Sequence, residues 1–404
     1  MTLQRALSAF TTVLLLVAVV SDADAARRSH ARRPAAHHAS VPAQPARPPG
    51  AKHVTIMDGD TGLVLYCDDC HTPIEPASMS KLMTALVVGE ALLSHRITLD
   101  TRYHVSENAW RHGAMSDGSH MFLELNSNVA VRDLIGGVIV VSANDACIAL
   151  AEGLYGSETA FVEQMNKRAR ELGLTSAHFT NVTGLPDPQH VISTADLARL
   201  ARYLMANHRE LYRLYSERTF TYGTHTQENR NPLFGAFDGA DGVKTGHTDQ
   251  AGYSLVGSAV VNGHRRIIVF NGANSMAERR SEGVRLMTAA FHEYDVRHLA
   301  AANQQVGEAE VSMGSRKTVA LVAPSLLAIG GARSTLDALH AHIRYNGPLS
   351  APIKKGAQIG QLVLDGPPGF APRIYPLVAG ADVGRANWFA RAWEGLRLTL
   401  SGGH

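Results

Sequence analysis

Ser78-Met79-Ser80-Lys81 sets a serine and a lysine three residues apart, directly after Pro76-Ala77, in a chain of 404 residues. A proline in this position favours a helix start, and residues three apart on a helix share a face, with Cβ atoms about 5–6 Å from each other. A serine hydroxyl is a weak nucleophile until a base takes its proton, and lysine is such a base only when it is neutral, which burial or another cation nearby can arrange. The stretch therefore predicts that Ser78 is a nucleophile and Lys81 its base. A helix start with a solvated lysine is the alternative that so short a pattern leaves open.

Two further short motifs accompany the first. Ser142-Ala143-Asn144 follows the apolar run 138–141 at the predicted mouth of a helix, whereas Ser106-Glu107-Asn108 matches the same weak pattern without that position. Lys244-Thr245-Gly246-His247 lies on a predicted strand, where glycine lets a ligand backbone approach closely. Lys-Thr-Gly and Ser-x-x-Lys each occur once in the chain.

Together the three motifs supply the parts of an acyl-transfer site: nucleophile, base, proton relay, oxyanion donors and substrate clamp. Ser142 is predicted to relay a proton to the leaving amine. Lys244 adds a second cation that keeps the base lysine neutral and attracts an anionic substrate, while Thr245 donates to a terminal carboxylate. The helix start also disfavours a positive charge on the base lysine. The backbone N–H groups of the nucleophile and of His247 are the predicted oxyanion hole.

Longer stretches around these motifs resemble the serine-type D-alanyl-D-alanine carboxypeptidases, which are low-molecular-mass penicillin-binding proteins. The stretches are Pro-Ala-Ser-Met-Ser-Lys-Leu-Met-Thr from Pro76, Ser-Ala-Asn-Asp-Ala-Cys from Ser142, and Asp-Gly-Val-Lys-Thr-Gly-His-Thr-Asp-Gln-Ala-Gly-Tyr from Asp241. The resemblance covers residues 54–294 and, more weakly, a later region containing Ala351-Pro352-Ile353-Lys354-Lys355-Gly356. It implies removal of the terminal D-alanine from a peptidoglycan pentapeptide through an acyl-enzyme on Ser78, and it implies that β-lactams acylate the same serine.

The resemblance also implies the residues that bind the substrate. They are Asn144, Lys244, Thr245, Gly246, His247 and Arg279. Arg279, in Arg279-Arg280-Ser281-Glu282, is similar to the family's Arg-x-x-Glu, whose arginine helps to bind the substrate carboxylate. Because the preceding segment is one residue longer here, Arg280 stays an alternative. No cofactor and no metal are expected, since none of the 20 histidines pairs at HExxH spacing.

Apolar patterns along the chain predict an α+β catalytic domain over residues 51–298, with strands at both sequence ends and helices between them. Asn262-Gly263 is the predicted turn of a hairpin. Short β-like runs punctuated by glycine and proline predict a small all-β domain over residues 303–380. The family resemblance implies an antiparallel sheet flanked by helices, with a helical subdomain and the site between them.

The first 25 residues are typical of an export signal. Arg5 precedes the apolar run 9–20, and Ala23-Asp24-Ala25 is a small-residue cleavage site. A transmembrane anchor is the alternative, but the run is short for a bilayer span. Residues 26–50 are rich in Ala, Pro, Arg and His and are predicted to be a disordered spacer. The protein is therefore expected to work outside the cytoplasm, and the family resemblance implies a periplasmic protein attached to the outer face of the inner membrane.

Residues 384–404 are predicted to form an amphipathic C-terminal helix. Trp388, Phe389 and Trp393 group on one side of a helical wheel, and Arg391 and Arg397 on the other. This pattern favours peripheral contact with a membrane surface. A terminal helix docked on the β domain is the alternative.

The chain has three cysteines. Cys67 and Cys70 flank two aspartates, and a turn there brings their Cα atoms within disulfide distance. We favour a structural bridge over a redox pair or a zinc knuckle, because neither a βαβ context nor a second ligand pair is present. Cys147 opens a helical pattern after an apolar run, which predicts a buried free thiol.

Composition narrows the classes of partner. The chain is 45% hydrophobic and 18% charged, with a formal net charge of +2, which is ordinary for a globular protein. No nucleic-acid partner is indicated. Three other functions stay open at this point: a class A-like β-lactamase, a peptidoglycan DD-endopeptidase, and a non-catalytic wall-binding protein. Class A β-lactamases deacylate with a glutamate, and the loop 181–190 contains none.

Overall fold

The computed structural model describes residues 18–19, 51–114 and 119–387. Apart from residues 18–19, the predicted export signal and spacer lie outside the described residues, as does most of the predicted C-terminal helix. The described chain divides into two compact units, one formed by residues 51–296 and 330–333 and the other by residues 18–19, 297–329 and 334–387.

The secondary structure alternates short strands with helices. The strands are β1 Ala18–Val19, β2 Lys52–Asp58, β3 Val64–Asp68, β4 Arg102–His104, β5 Asn128–Ala130, β6 Thr219–Tyr222, β7 His225–Glu228, β8 Ala240–Thr248, β9 Gly252–Val261, β10 His264–Ala273, β11 Tyr294–Ala300, β12 Gln305–Ser312, β13 Thr318–Val322, β14 Leu327–Ala332, β15 His340–Arg344, β16 Leu349–Ser350, β17 Gln358–Asp365 and β18 Arg373–Ala379. The helices are α1 Lys81–Leu93, α2 Glu107–Ala114, α3 Val131–Gly136, α4 Asn144–Tyr155, α5 Glu158–Glu171, α6 Thr194–Asn207, α7 Arg209–Arg213, α8 Met276–His292 and α9 Arg333–Asp337. Ala77–Ser80 and Leu214–Ser216 form 3₁₀ turns, and Gly137–Val141 is π-helical.

A five-stranded antiparallel sheet in the order β3-β2-β10-β9-β8 lies at the centre of the first unit. Successive side chains of a strand point to opposite faces, and β10 shows the consequence. Ile267 and Val269 join the hydrophobic core built with the helical region. Ile268 and Phe270 instead join the core on the face that α8 covers. The predicted antiparallel sheet flanked by helices is confirmed, and Asn262-Gly263 forms the turn between β9 and β10.

Helix α1 crosses the helical core and is buried on all sides. Leu82, Leu86 and Val88 have 2% exposure or less, and a helix that is apolar all round belongs inside a protein. Gly89 lets another helix approach closely, because a Cβ there would lie 2.7 Å from a methyl of Leu211. This packing fixes the N-terminal end of α1, where the Ser-x-x-Lys motif lies.

The second unit is built on a seven-stranded sheet in the order β1-β15-β17-β18-β13-β12-β16. It has its own hydrophobic core, with Leu321, Ile343 and Leu377 fully buried. The expected all-β C-terminal domain is confirmed. Main-chain hydrogen bonds continue to residue 386, since Ala386 N–H donates to Met313.

The cysteines take the predicted states. Cys67 and Cys70 form a disulfide with their Cα atoms 5.1 Å apart. The carbonyl of Cys70 accepts hydrogen bonds from the N–H of Ala195 and the hydroxyl of Thr194, so the bridge ties β3 to the start of α6. Cys147 is a buried free thiol. Across the residues that the structure covers, no helix combines the length and the apolar character needed to cross a membrane.

Candidate active site

Ser78 and Lys81 lie together where the 3₁₀ turn Ala77–Ser80 runs into α1. The lysine Nζ is 2.9 Å from the serine Oγ. Ser78 is partly exposed, whereas Lys81 is 1% exposed. The predicted juxtaposition is therefore present, although the serine occupies a tighter turn than the α-helix that we expected. The alternative of a solvated lysine is wrong.

Two glycines allow neighbouring backbones to close on the nucleophile turn. Ala77 has φ 48°, a left-handed conformation that costs an L-residue about 1–2 kcal/mol. A Cβ on Gly184 would lie 2.0 Å from the carbonyl oxygen of Ala77. A Cβ on Gly246 would lie 2.7 Å from the carbonyl oxygen of Pro76. Gly246 thus admits the backbone of the nucleophile turn, and the close approach of a ligand backbone to it stays a prediction.

Burial is the main reason that Lys81 can act as a base. The pKa of Lys81 is lowered to about 8. Burial is the largest cause and the charge of Arg230 acts in the same direction, whereas Cys147 and Asp145 raise the pKa. Burial and a nearby cation are both causes that the sequence allows; the cation that contributes here is Arg230, whereas Lys244 and the helix start were the predicted contributors. Lys81 Nζ also donates to the carbonyl oxygen of Thr183, which holds the amine in place.

Burial also disfavours the positive charge of Lys244. Burial lowers the pKa of Lys244 well below its ordinary value, and the positive charge of Lys81 lowers it further. Lys244 is 4% exposed and its Nζ donates to the carbonyl oxygen of Thr245 at 3.1 Å. Two ammonium groups in one buried cleft disfavour each other. The pair therefore gives up a proton more readily than either lysine would in water, or binds an anion that stabilises both charges.

Ser142 lies between the π-helical segment and α4, at the mouth of a helix as predicted. It has φ 65° and is 2% exposed. Within the part of the chain that the structure describes, its buried Oγ has no hydrogen-bond partner, which suits a hydroxyl that exchanges protons with a substrate. Asn144 begins α4 and its N–H donates to the carbonyl oxygen of Ser119 at 2.7 Å. The other Ser-x-Asn match is a helix cap, because Ser106 Oγ accepts from the N–H of Ala109.

The Lys-Thr-Gly-His motif lies on β8, the edge strand of the five-stranded sheet. An edge strand leaves outward-facing N–H and C=O groups that an extended peptide can pair with. Thr245 is 7% exposed. His247 is exposed, and its ring centroid lies 3.9 Å from that of Tyr253 on β9. The motif thus borders the cleft along one side.

The structure favours Arg279 over Arg280 as the binding residue. Arg279 is 7% exposed and lies 5.4 Å from the ring centre of Tyr253, whereas Arg280 is exposed. Burial lowers the pKa of Arg279 to about 10, so the guanidinium stays charged at neutral pH. Among the described residues its buried Nε has no partner. A carboxylate from a ligand is the group that this nitrogen lacks.

Two site residues were missed in the sequence. Arg230 donates to Ser119 Oγ at 2.8 Å, and its charge lowers the pKa values of Lys81, Lys244 and Arg279. Nothing in the sequence around Arg230 signals this. Asp145 is buried and accepts from the N–H groups of residues 121, 123 and 146, and burial raises its pKa. Its position directly after Asn144 was a usable signal.

The geometry describes a site for serine acyl transfer to or from an anionic substrate. A buried amine lies next to a partly exposed hydroxyl, a second buried hydroxyl has no hydrogen-bond partner among the described residues, and three further cations surround the cleft. This arrangement suits the nucleophile, base, relay and clamp that such chemistry requires.

Comparison with known proteins agrees with this description. Residues 39–275 match the family described as D-alanyl-D-alanine carboxypeptidase, and residues 294–385 match the family described as penicillin-binding protein 5, C-terminal domain. The chain is 36% identical over 359 residues to D-alanyl-D-alanine carboxypeptidase DacA of Haemophilus influenzae, covering 87% of this chain and 90% of that protein. It is 36% identical over 341 residues to D-alanyl-D-alanine carboxypeptidase DacD of Escherichia coli, covering 83% and 87%.

Solved structures show the same fold. Penicillin-binding protein 5 from Haemophilus influenzae superposes with a TM-score of 0.72 at 35% identity, covering 84% of this chain and 100% of that one. The carboxypeptidase DacD from Francisella tularensis superposes with a TM-score of 0.74 at 29% identity, covering 87% and 98%.

Proposed function

The chain belongs to the D-alanyl-D-alanine carboxypeptidase family, and on that premise we propose that it removes the terminal D-alanine of peptidoglycan pentapeptides through an acyl-enzyme on Ser78. The observation that carries the proposal is the 2.9 Å distance between Lys81 Nζ and Ser78 Oγ, with the lysine buried. β-lactams are proposed to acylate the same serine.

Acylation follows from the positions of the side chains. The terminal carboxylate of the peptide binds at Lys244, Thr245 and Arg279, which places the last peptide carbonyl over Ser78. Neutral Lys81 takes the hydroxyl proton as the serine oxygen attacks the carbonyl carbon. The N–H groups of Ser78 and His247 are proposed to stabilise the resulting oxyanion.

Collapse of this intermediate breaks the C–N bond and releases D-alanine. The leaving amine receives a proton through the hydroxyl of Ser142, which draws it from the Lys81 ammonium. A water molecule then attacks the ester carbonyl and gives a proton to Lys81. The C–O bond to Ser78 breaks as Lys81 returns that proton to the serine oxygen. Each cycle consumes one water molecule and returns both residues to their starting protonation states.

The β-lactamase alternative finds no support in the loop 181–190. Its acidic residue, Asp187, accepts from the N–H of Gln189 within the loop. The carbonyl oxygen of Thr183, in the same loop, accepts a hydrogen bond from Lys81 Nζ. No glutamate of this loop is available to activate a water molecule as class A enzymes do.

Release of D-alanine from a purified pentapeptide tests the proposal. We expect Ser78→Ala to lower the rate by more than about 10³-fold, because the nucleophile is lost. The same variant should no longer be labelled by fluorescent penicillin. Labelling equal to wild type would remove Ser78 from the mechanism and favour a non-catalytic protein. Rapid, repeated hydrolysis of nitrocefin by wild type would favour a β-lactamase, and cleavage of cross-linked dimers without D-alanine release would favour an endopeptidase.

We also propose that the protein works in the periplasm at the outer face of the inner membrane. The export-signal pattern of residues 1–25 and the amphipathic pattern beyond residue 387 support this. Fractionation of cells that produce the full chain tests it: the protein should be in the membrane pellet and should be released by salt or mild detergent.

A further inference from the structure

Three aromatic rings stack on one another beside the active site. The ring centroids of His120 and Phe122 lie 4.4 Å apart, edge to face. Those of Phe122 and His225 lie 3.8 Å apart with the planes nearly parallel. Phe122 is nevertheless 41% exposed. We call these three residues the aromatic wall.

The wall is held rigidly from inside the protein. The N–H groups of Met121 and Leu123 donate to the buried carboxylate of Asp145. The Met121 side chain is fully buried, and the Gln227 side chain of β7 donates to the carbonyl oxygen of His120 at 2.9 Å. Hydrogen bonds with Asp145 and Gln227 therefore hold the backbone of residues 120–123 in place. The rings of His120 and Phe122 lie outside the hydrophobic core.

Phe122 also has a strained backbone. Its φ of 64° lies in the left-handed region, where a bulky side chain is an outlier. Strain of this kind persists only where the surroundings impose it, and it concentrates at ligand-binding sites. A large apolar side chain that is strained, exposed and stacked between two imidazoles has no role in the core of the fold.

The wall adjoins the residues that bind the substrate. Ser119, which precedes His120, accepts the N–H of Asn144 and the guanidinium of Arg230. Arg230 in turn lies near the other cations of the cleft, because its positive charge lowers the pKa values of Lys244 and Arg279. The two terminal residues of the peptide occupy that cationic end, so the remainder of the peptide has to pass out of the cleft along its walls.

We propose that His120, Phe122 and His225 form a specificity subsite for the side chain of the diamino acid that precedes the two D-alanines. This rests on the proposed function. The methylene groups of that side chain pack against the exposed face of Phe122, since aromatic faces are large apolar surfaces. The polar end of the side chain extends into solvent beyond the rings.

A pair of synthetic substrates tests the subsite. One is diacetyl-L-lysyl-D-alanyl-D-alanine, and the other is acetyl-L-alanyl-D-alanyl-D-alanine, which lacks the long side chain. The measured quantity is the ratio of kcat/KM for the lysyl substrate to that for the alanyl substrate. We expect Phe122→Ala to lower this ratio by about 10-fold, at the lower end of the contribution of one methylene in an apolar pocket. Phe122→Tyr should keep the wild-type ratio.

Controls separate the subsite from folding. Leu125→Ala removes a side chain of the same 41% exposure from the same segment and should leave the ratio unchanged. Penicillin labelling of Leu125→Ala should also proceed at the wild-type rate. An equal loss on both substrates, or no loss on either, would overturn the subsite while leaving the proposed function intact. Absence of D-alanine release from both substrates by wild type would instead overturn the proposed function.

Discussion

In the proposed mechanism, the protonation state of Lys81 determines when Ser78 can react. Burial places the pKa of Lys81 at about 8, so the neutral base is a minor species at pH 7 and grows as pH rises. We expect the second-order rate of acylation by penicillin to increase tenfold per pH unit below pH 8 and to level off above it. A rate independent of pH across this range would contradict Lys81 as the base.

Arg230 offers a matched test of the same idea. Its positive charge disfavours a second positive charge on Lys81, so Arg230→Gln should raise the pKa of Lys81 and shift the midpoint of the acylation profile to higher pH. Arg280→Gln, which changes an exposed arginine, should leave the midpoint in place. A midpoint unmoved by Arg230→Gln would show that burial alone sets this pKa.

At the scale of single residues, the sequence predicts which residues form the candidate site better than it predicts what shifts their pKa values. Ser78, Lys81 and Ser142 follow from short motifs because catalytic chemistry restricts both residue type and spacing. Burial and a nearby cation were foreseen as causes of the lowered pKa of Lys81, but the sequence could not identify Arg230 as the cation or show that burial is the larger cause, since burial is a property of the folded chain. Arg230 is brought to the cleft by a hairpin far along the chain, so no motif contains it.

The nucleophile turn and the loop 181–188 act as one element. Gly184 has φ 79° and its missing Cβ makes room for Ala77. Gly184→Ala should lower the free energy of unfolding by at least about 2 kcal/mol more than conformational cost alone, because it overpacks backbone against backbone. It should also slow penicillin labelling, since the turn carries Ser78.

Gly156→Ala is the control for that substitution. Gly156 has φ 80°, but a Cβ there meets nothing within 4 Å, so only the left-handed backbone cost of about 1–2 kcal/mol applies. Urea unfolding and labelling rates of the two variants make the comparison. Equal stability and equal labelling in both would show that the contact between Gly184 and Ala77 is unimportant.

Elements with a strong pattern were predictable, and elements without one were not. The β9–β10 hairpin follows from apolar runs around Asn262-Gly263. The β6–β7 hairpin was missed because its strands are four residues long and mostly polar and exposed. Their sequence therefore lacks the apolar alternation that indicates a buried face. The 3₁₀ turn at Ser78 was predicted as α-helix because the i, i+3 spacing suits both.

At the scale of the whole molecule, the described residues divide into two compact units, each with its own hydrophobic packing. The composition shift near residue 303 indicated the second domain. The return of residues 330–333 to the first unit was not predictable, because four residues carry no compositional signal. The predicted helix from residue 384 begins too early, since Gly384 and Ala386 still hydrogen-bond within the β domain.

Deletion of residues 388–404 tests membrane attachment without disturbing that domain. We expect the truncated protein to move from the membrane pellet to the soluble periplasmic fraction, because the amphipathic segment is lost. Its rate of D-alanine release from a soluble pentapeptide should equal that of the full chain. Retention in the pellet would assign attachment to another part of the protein.

The redox state of Cys67 and Cys70 reports whether the protein was produced in an oxidising or a reducing compartment. The third sulfur, on Cys147, is buried, and its pKa is raised to about 12 by that burial, so a native, oxidised protein offers no thiolate to an alkylating reagent. Protein collected from an oxidising compartment should stay unlabelled until it is reduced, which frees Cys67 and Cys70, or denatured, which exposes Cys147. Protein made in a reducing cytosol should react at Cys67, which is exposed, and should be heavier by two hydrogen atoms. Intact mass and alkylation thus distinguish a correctly matured preparation before any activity is measured.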